Sequence, residues 1–346
     1  MAFIIGMGGE NMNMITLSHG SGGKKTHELI KNMFYKYFQN DILLQQNDAS
    51  ILHKLSGKIA VTTDSFVISP LFFKGGDIGK LSICGTVNDL AVSGAKPLYI
   101  TVGFILEEGL ELDVLEKVVI SMAETARKAN VYIVAGDTKV VERGKGDKIY
   151  INTTGIGIIE NNMEVLGIQQ TKQGDKVIIS GTLGDHGMCI LSEREELAFD
   201  ISIKSDCNPL NELTRDILSV SKNVKIMRDP TRGGLATTLN EIAEQRDMSI
   251  MLYEKEIPVK EEVLGMCEML GFDPLYVANE GKLVLIVSNE DADKVLNIVR
   301  KNPLGRDANI IGEVVNDNKG KVYLRTEIGG TRILNMYEEE ILPRIC

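Results

Sequence analysis

The chain has 346 residues and a net charge of -10, with 43% hydrophobic and 25% charged residues, which predicts a globular protein of two domains, since single cores stop growing at roughly 250–300 residues. The negative balance excludes a nucleic-acid surface, which needs clustered Lys and Arg, and no apolar run approaches the ~20 residues of a membrane-spanning helix. With no basic stretch ahead of its first apolar residues, the sequence is expected to be cytoplasmic.

In chain order, residues 1–16 read as a flexible leader rich in Met, Asn and Gly. His19-Gly20-Ser21-Gly22-Gly23-Lys24-Lys25 then feeds an amphipathic segment over 26–37. A glycine-rich turn before a helix lets backbone N–H groups converge on an anion, and Lys24 adds charge, although the spacing is not that of a Walker loop. Residues 58–63 read as a buried strand ending in Thr62-Thr63-Asp64-Ser65, with Asn47-Asp48-Ala49-Ser50 upstream. Residues 77–93 read as a helix stopped by Gly94. Its Asn88-Asp89 pair interrupts an apolar face; burial without partners costs about 2–7 kcal/mol per polar group, so a cation or polar ligand is expected there.

A strand over 98–106 and a helix over 113–130, opened by a capping box of Asp113 and Glu116, come next. The strand over 131–135 ends in Gly136-Asp137-Thr138-Lys139, and a strand over 149–159 closes the first domain. The second contains a strand over 176–180, the turn Gly181-Thr182-Leu183-Gly184-Asp185-His186-Gly187, and helices over 188–192 and 209–221. Arg228-Asp229-Pro230-Thr231-Arg232-Gly233-Gly234-Leu235 leads into a helix to 245, and Asn279-Glu280-Gly281-Lys282 precedes a strand over 283–287. Alternation of helix and strand gives an α/β (or α+β) class. The expected units are residues 17–165, 166–326 and a mobile tail over 327–346, hinged at Gly329 and Gly330.

Asp48, Asp64, Asp89 and Asp229 stand where element ends meet small residues. Carboxylates with few His or Cys among them select a hard cation, so Mg2+ bridging a polyphosphate is expected. The five cysteines Cys84, Cys189, Cys207, Cys267 and Cys346 form neither a disulfide framework nor a zinc motif. Four fall in apolar or helical patterns and read as core residues. Cys346 ends the chain behind Pro343, which fixes its own φ and holds Leu342 extended, leaving the thiol on a tether that can be presented outward to a partner or folded back into a cleft of its own protein.

Gly20-Ser21-Gly22-Gly23-Lys24, Thr63-Asp64-Ser65, Asn88-Asp89-Leu90, Gly136-Asp137-Thr138-Lys139 and Asp229-Pro230-Thr231-Arg232-Gly233-Gly234-Leu235 resemble the superfamily of aminoimidazole ribonucleotide synthetase and selenophosphate synthetase, known as PurM-like. Leu17-Ser18-His19-Gly20-Ser21-Gly22-Gly23 and the terminal Pro343-Arg344-Ile345-Cys346 narrow the resemblance to the HypE family of hydrogenase maturation proteins, over residues 15–346. The resemblance implies a two-domain PurM-like architecture and an ATP-dependent carbamoyl dehydratase whose own C-terminal cysteine is the substrate. In that family a HypF carbamoyltransferase loads the thiol as an S-carboxamide. ATP phosphorylates the amide oxygen, loss of phosphate leaves a thiocyanate, and the cyano group passes to iron held by HypC and HypD. A homodimer through strands of the first domain is also implied.

Carried onto this sequence, the nucleotide would be held by Gly22, Gly23, Lys24, Thr63, Asp64, Asn88, Asp89, Asp137, Thr138 and Arg232, with magnesium on Asp48, Asp64, Asp89 and Asp229. Besides Cys346, the reacting groups are expected to be Glu280 as base, with Asp137 as second choice, and Lys139 holding the oxyanion or phosphate.

Overall fold

A computed structural model describes residues 13–161, 166–194, 203–317, 319–336, 342 and 344–346. After Gly23 the chain forms α1 (Lys24–Leu29), one wider turn (Ile30–Phe34) and α2 (Tyr35–Phe38). Leu29 with Met33 and Phe34 with Phe38 are buried as i, i+4 pairs, the spacing of neighbours on a helix. Then come β1 (Lys58–Phe66), a hairpin of β2 (Phe72–Phe73) and β3 (Gly76–Asp77), α3 (Ile78–Val92), β4 (Lys96–Glu107), α4 (Leu112–Ala129), β5 (Tyr132–Val141) and β6 (Ile149–Ile159). The long strands form a sheet in the order β1-β6-β4-β5, with β4 and β5 parallel and the other pairs antiparallel.

The first-domain sheet is covered on one side by α3 and α4. Helix α3 is apolar nearly all round and correspondingly buried, and the Asp77 carboxylate caps it by accepting from Gly79 N at 2.7 Å and Lys80 N at 3.1 Å. On the other side Ile42, Leu52 and Leu55 cover Tyr99 of β4 and Val134 of β5, while the β1 edge is open: Ile59 and Val61 are 63% and 65% exposed.

The second domain runs β7 (Lys176–Ile179), α5 (Asp185–Arg194), α6 (Asn211–Val220), β8 (Val224–Arg228), α7 (Gly234–Arg246), β9 (Ser249–Tyr253), α8 (Glu261–Leu270), β10 (Val284–Val287), α9 (Ala292–Lys301), β11 (Asn309–Val315), β12 (Val322–Arg325) and β13 (Thr331–Leu334). Among the described residues its strands form one sheet in the order β13-β12-β9-β11-β7-β10-β8. The two domains share a hydrophobic seam in which Cys84 and Val87 of α3 join Met188, Cys207, Val263 and Val277 in one buried cluster.

Several sequence expectations shift here. The leader is fixed from residue 13 onward, because Ile15 is fully buried and exchanges backbone bonds with Leu110 and Gly109; residues 1–12 lie outside the described residues. Glu116 closes no capping box: it accepts from Tyr37 and Lys36, and α4 starts after Glu111 with no side-chain cap. Asp64 and Asp137 stand within strands, since pairing continues to Phe66 in β1 and to Val141 in β5. Gly329 and Gly330 form the turn joining β12 and β13, closed by Thr326 N to Gly330 O and Gly329 N to Thr326 O, both 2.9 Å, so they are no hinge. Gly329 has φ +86°, the left-handed conformation that a tight turn of this kind draws glycine into.

Candidate active site

The described tail residues fold back into the domain junction. Leu342 and Ile345 are buried in the shared core, with Cys346 packed against it. Arg344 to Cys346 run beside the segment that follows β1: Ser69 N donates to Arg344 O at 3.3 Å and Val67 N to Cys346 O at 3.1 Å. The Arg344 side chain reaches Val67 O and makes an ion pair with Asp147 at 2.6 Å. The terminal residues thus take the inward of the two expected positions, because two apolar side chains gain a buried position.

Next to this seat the alternation of β1 turns Thr62, Asp64 and Phe66 toward α3. Thr62 Oγ1 donates to Asp89 Oδ2 at 2.7 Å. Asp64 lies against Gly85, one turn before Asp89 on the same helix face, and a Cβ at Gly85 would fall 2.9 Å from the Phe66 ring. Asp229 follows β8, and the adjoining Pro230 carbonyl accepts from both the backbone and side-chain amide of Asn279, each at 3.1 Å. That pins the turn carrying Glu280 against Asp229.

Glu280 is 3% exposed and its Oε1 has no hydrogen-bond partner among the described residues. Its position is set from the backbone: Asp206 accepts from Glu280 N at 3.0 Å and Gly281 N at 3.2 Å, and a Cβ at Gly281 would fall 1.9 Å from Asp206 O. Burial first, and then the neighbouring Asp229 and Asp206 charges, push the Glu280 carboxyl well above the usual carboxylate range. Asp229 is pushed up to about 7 by burial and by the Asp89 charge. Asp64 and Asp89 are also raised, chiefly by burial, with Arg232 opposing the rise at both. Arg232 is exposed at the entry to α7, where Gly233 and Gly234 take φ +74° and +62° and a Cβ at Gly234 would meet Leu275 O at 2.6 Å.

Among the described residues no three His, Cys, Asp or Glu side chains converge into a metal cage. Magnesium normally uses only one or two carboxylates together with waters and substrate phosphates. The Asp89 charge raises the proton affinity of both Asp64 and Asp229, and such a pair of carboxylates fits the cation, so it would be held by carboxylates drawn from Asp64, Asp89 and Asp229. Asp48 stands apart from this trio and lines a cavity of about 210 Å3 between the first helical stretch and β5, beside Thr26, Phe34, Phe104, Asp137 and Thr138.

The glycine-rich segment closes over the end of β5, and a Cβ at Gly20 would lie 2.6 Å from Val140 N. Gly22, at φ +81°, donates its N–H to Thr26 Oγ1 at 3.0 Å, so this donor braces the turn itself; Gly23 caps α1, and Lys24 is exposed and pairs with Glu28 at 3.7 Å. Asp137 and Lys139 share an exposed face of β5, where Lys139 Nζ holds both carboxylate oxygens at 2.5 and 2.6 Å. That bond keeps Asp137 below the usual carboxylate range and makes it a poor base. Thr63 faces the side of the sheet left open at β1 and donates to Thr153 O at 3.0 Å.

Asn88 requires a correction. Its amide donates to Asn208 O at 3.1 Å and Glu280 O at 3.3 Å, and its Oδ1 accepts from Leu210 N at 2.8 Å. Buried and engaged by second-domain backbone, it clamps the two domains together and cannot reach a nucleotide. Sequence reasoning also missed Asp206, which orients the Glu280 turn. Asp206 lies in an extended stretch between helices with no local pattern to mark it.

The sequence model of AIR synthase related protein matches at residues 46–159 for its N-terminal domain and 172–325 for its C-terminal domain. The chain is 50% identical over 333 residues to carbamoyl dehydratase HypE of Bradyrhizobium diazoefficiens, covering 96% of each. The chain belongs to the HypE carbamoyl dehydratase family. A crystal structure of hydrogenase maturation protein HypE in complex with ATP superposes with a TM-score of 0.91 at 47% identity, covering 95% of this chain and 99% of that one. HypE in a HypE–HypF complex superposes at 0.78 and 48% identity, covering 89% and 99%. HypE membership makes the chain a PurM-like dehydratase of hydrogenase maturation, with its two AIR synthase related domains meeting at the acid cluster.

Proposed function

We propose that this chain uses ATP to dehydrate an S-carboxamide on its own Cys346 to a thiocyanate, the precursor of the cyanide ligand of a [NiFe] hydrogenase. The observation that carries the reading is the seat of Cys346. Its backbone oxygen accepts from Val67 N, three residues along the chain from Asp64, a separation of about 10 Å in extended chain. The solved HypE complex with ATP supports the nucleotide.

The carboxamide oxygen is a poor leaving group as hydroxide. In the proposed reaction it attacks the γ-phosphorus of ATP, ADP departs, and the C–O bond then breaks so that the oxygen leaves with inorganic phosphate. Both N–H protons are lost as C≡N forms. Glu280 accepts one of them: its Oε1 has no partner among the described residues, and a carboxylate in so acidic a buried pocket takes a proton avidly once ionised. Magnesium on Asp64, Asp89 and Asp229 would neutralise phosphate charge. Arg232, beside Asp64 and Asp89, and Lys139, above the end of β5, add positive charge for the phosphates, while Thr138 and the glycine-rich segment border the nucleotide.

A HypF-like carbamoyltransferase would load the thiol, in keeping with the solved HypE–HypF complex, and a HypC–HypD scaffold would receive the cyano group. The open sheet face around Ile59 and Val61 suits a homodimer, and the chemistry belongs in the cytoplasm. Among the described residues no helix is long and apolar enough to cross a membrane.

Incubation with carbamoyl phosphate, ATP, magnesium and the carbamoyltransferase tests the reading. Mass spectrometry of the C-terminal peptide is expected to show carboxamide and then thiocyanate on Cys346, with ADP accumulating in step. A carboxamide that persists while ATP is consumed would contradict it.

A further inference from the structure

The turn 181–187 has no part in the chemistry described so far, yet it delivers a fully buried histidine to the tail. His186 opens the first turn of α5, its ring meeting Phe73 edge-on at 5.6 Å between centroids. Its Nδ1 lies 2.8 Å from Ser205 Oγ and its Nε2 2.6 Å from the carbonyl oxygen of Ile345.

We infer that His186 is the positioning residue that seats the tail, donating from Nε2–H to the Ile345 carbonyl and thereby holding Cys346 at the acid cluster. A carbonyl only accepts, so Nε2 carries the proton. Ser205 Oγ accepts from Cys207 N at 3.1 Å, which leaves its own hydrogen for Nδ1. Ser205 N in turn donates to Lys74 O at 2.9 Å, tying the relay to the first domain. Burial holds the imidazole below its ordinary range, so the ring is neutral and its single proton is the one committed to the tail.

Other anchors act on the same segment. Arg194 donates to both Ser69 O and Arg344 O, and Ile345 is buried beside the histidine. The His186 bond differs from these because it lies in a water-excluded pocket. With residues 344–346 out of this seat, the buried Nε2–H would lose its acceptor, and the bond therefore favours the inward position of Cys346. The same residue that promotes dehydration should oppose loading of the thiol by an external enzyme.

This inference rests on the dehydration reading, and its test separates the two. In the full chain, His186→Phe, His186→Gln and Ser205→Ala are compared by the rate at which iodoacetamide alkylates Cys346, read on the C-terminal peptide; the other four cysteines are buried. His186→Phe is expected to speed alkylation by about tenfold, the upper range for one neutral hydrogen bond. It should slow single-turnover dehydration by a similar factor and leave ATP binding and carbamoyl loading undiminished. His186→Gln, whose amide can replace the Nε2–H donor, should recover most of both losses.

Ser205→Ala, which removes the group that fixes the tautomer, should give an intermediate shift and serves if the Phe variant fails to fold. Unchanged alkylation in a folded, ATP-binding His186→Phe chain would overturn the inference. So would loading and dehydration falling together, the signature of a merely structural role. A wild-type chain showing the alkylation pattern but forming no thiocyanate would overturn the catalytic reading and leave the seating intact.

Discussion

Asp137 and Glu280 both come from short polar motifs beside glycine, and the fold gives them opposite surroundings. Asp137 lies on an exposed face of β5 with its carboxylate held by Lys139, so its charge is already balanced. Glu280 is buried among Asp64, Asp206 and Asp229, and one of its oxygens has no partner among the described residues. A carboxylate gains proton-transfer capacity from burial and like charge, and loses it to an adjacent cation.

The largest expected effect tests the buried member. Glu280→Gln keeps the shape and removes the base, and should lower thiocyanate formation by about 10²–10⁴-fold with ATP affinity by calorimetry unchanged. Full dehydration activity in that variant would erase the distinction between the two sites. The second test strikes the clamp that holds Glu280 in place. Asn88→Ala strands the Asn208 and Glu280 carbonyls and the Leu210 N–H, and should cost about 1–3 kcal/mol in denaturant unfolding, the usual penalty for unsatisfied buried polar groups.

A third test uses pH. Asp229 is raised to about 7 in the folded chain against about 3.9 unfolded, so the folded state binds more protons between those values. Its stabilising contribution is therefore complete below about pH 4 and disappears as pH rises through about 7. Thermal unfolding without magnesium and nucleotide should accordingly show stability falling over that window, and Asp229→Asn should flatten the fall. The smallest effect belongs to the exposed pair: Asp137→Asn should change stability by no more than about 1 kcal/mol and leave the pH profile of dehydration in place.

Much of this contrast was legible before the fold was known. The Asn88-Asp89 pair in an apolar helix announces buried polarity, and the Asp89 charge does act on Asp64 and Asp229. Asn88 escaped the reading because its partners, Asn208, Leu210 and Glu280, lie more than a hundred residues away, and no local period encodes them. Strand ends misled at Asp64 and Asp137, since pairing with β6 and β4 carries each strand past the point where the apolar run stops. Pro343 and the terminal position of Cys346 leave both an outward and an inward tail open, and burial of Leu342 and Ile345 in the shared core decides for the inward one. The contribution of His186 depends on a contact 159 residues distant in sequence, which local motifs do not record.

The central claim, that the chain is both catalyst and reactant, is tested most directly by deleting Cys346 alone. The shortened protein is expected to remain folded, bind ATP with wild-type affinity and yield no thiocyanate under conditions in which the full chain converts its carboxamide. A thiocyanate formed on the truncated protein, or cyanide ligand still supplied to hydrogenase by it, would contradict the account.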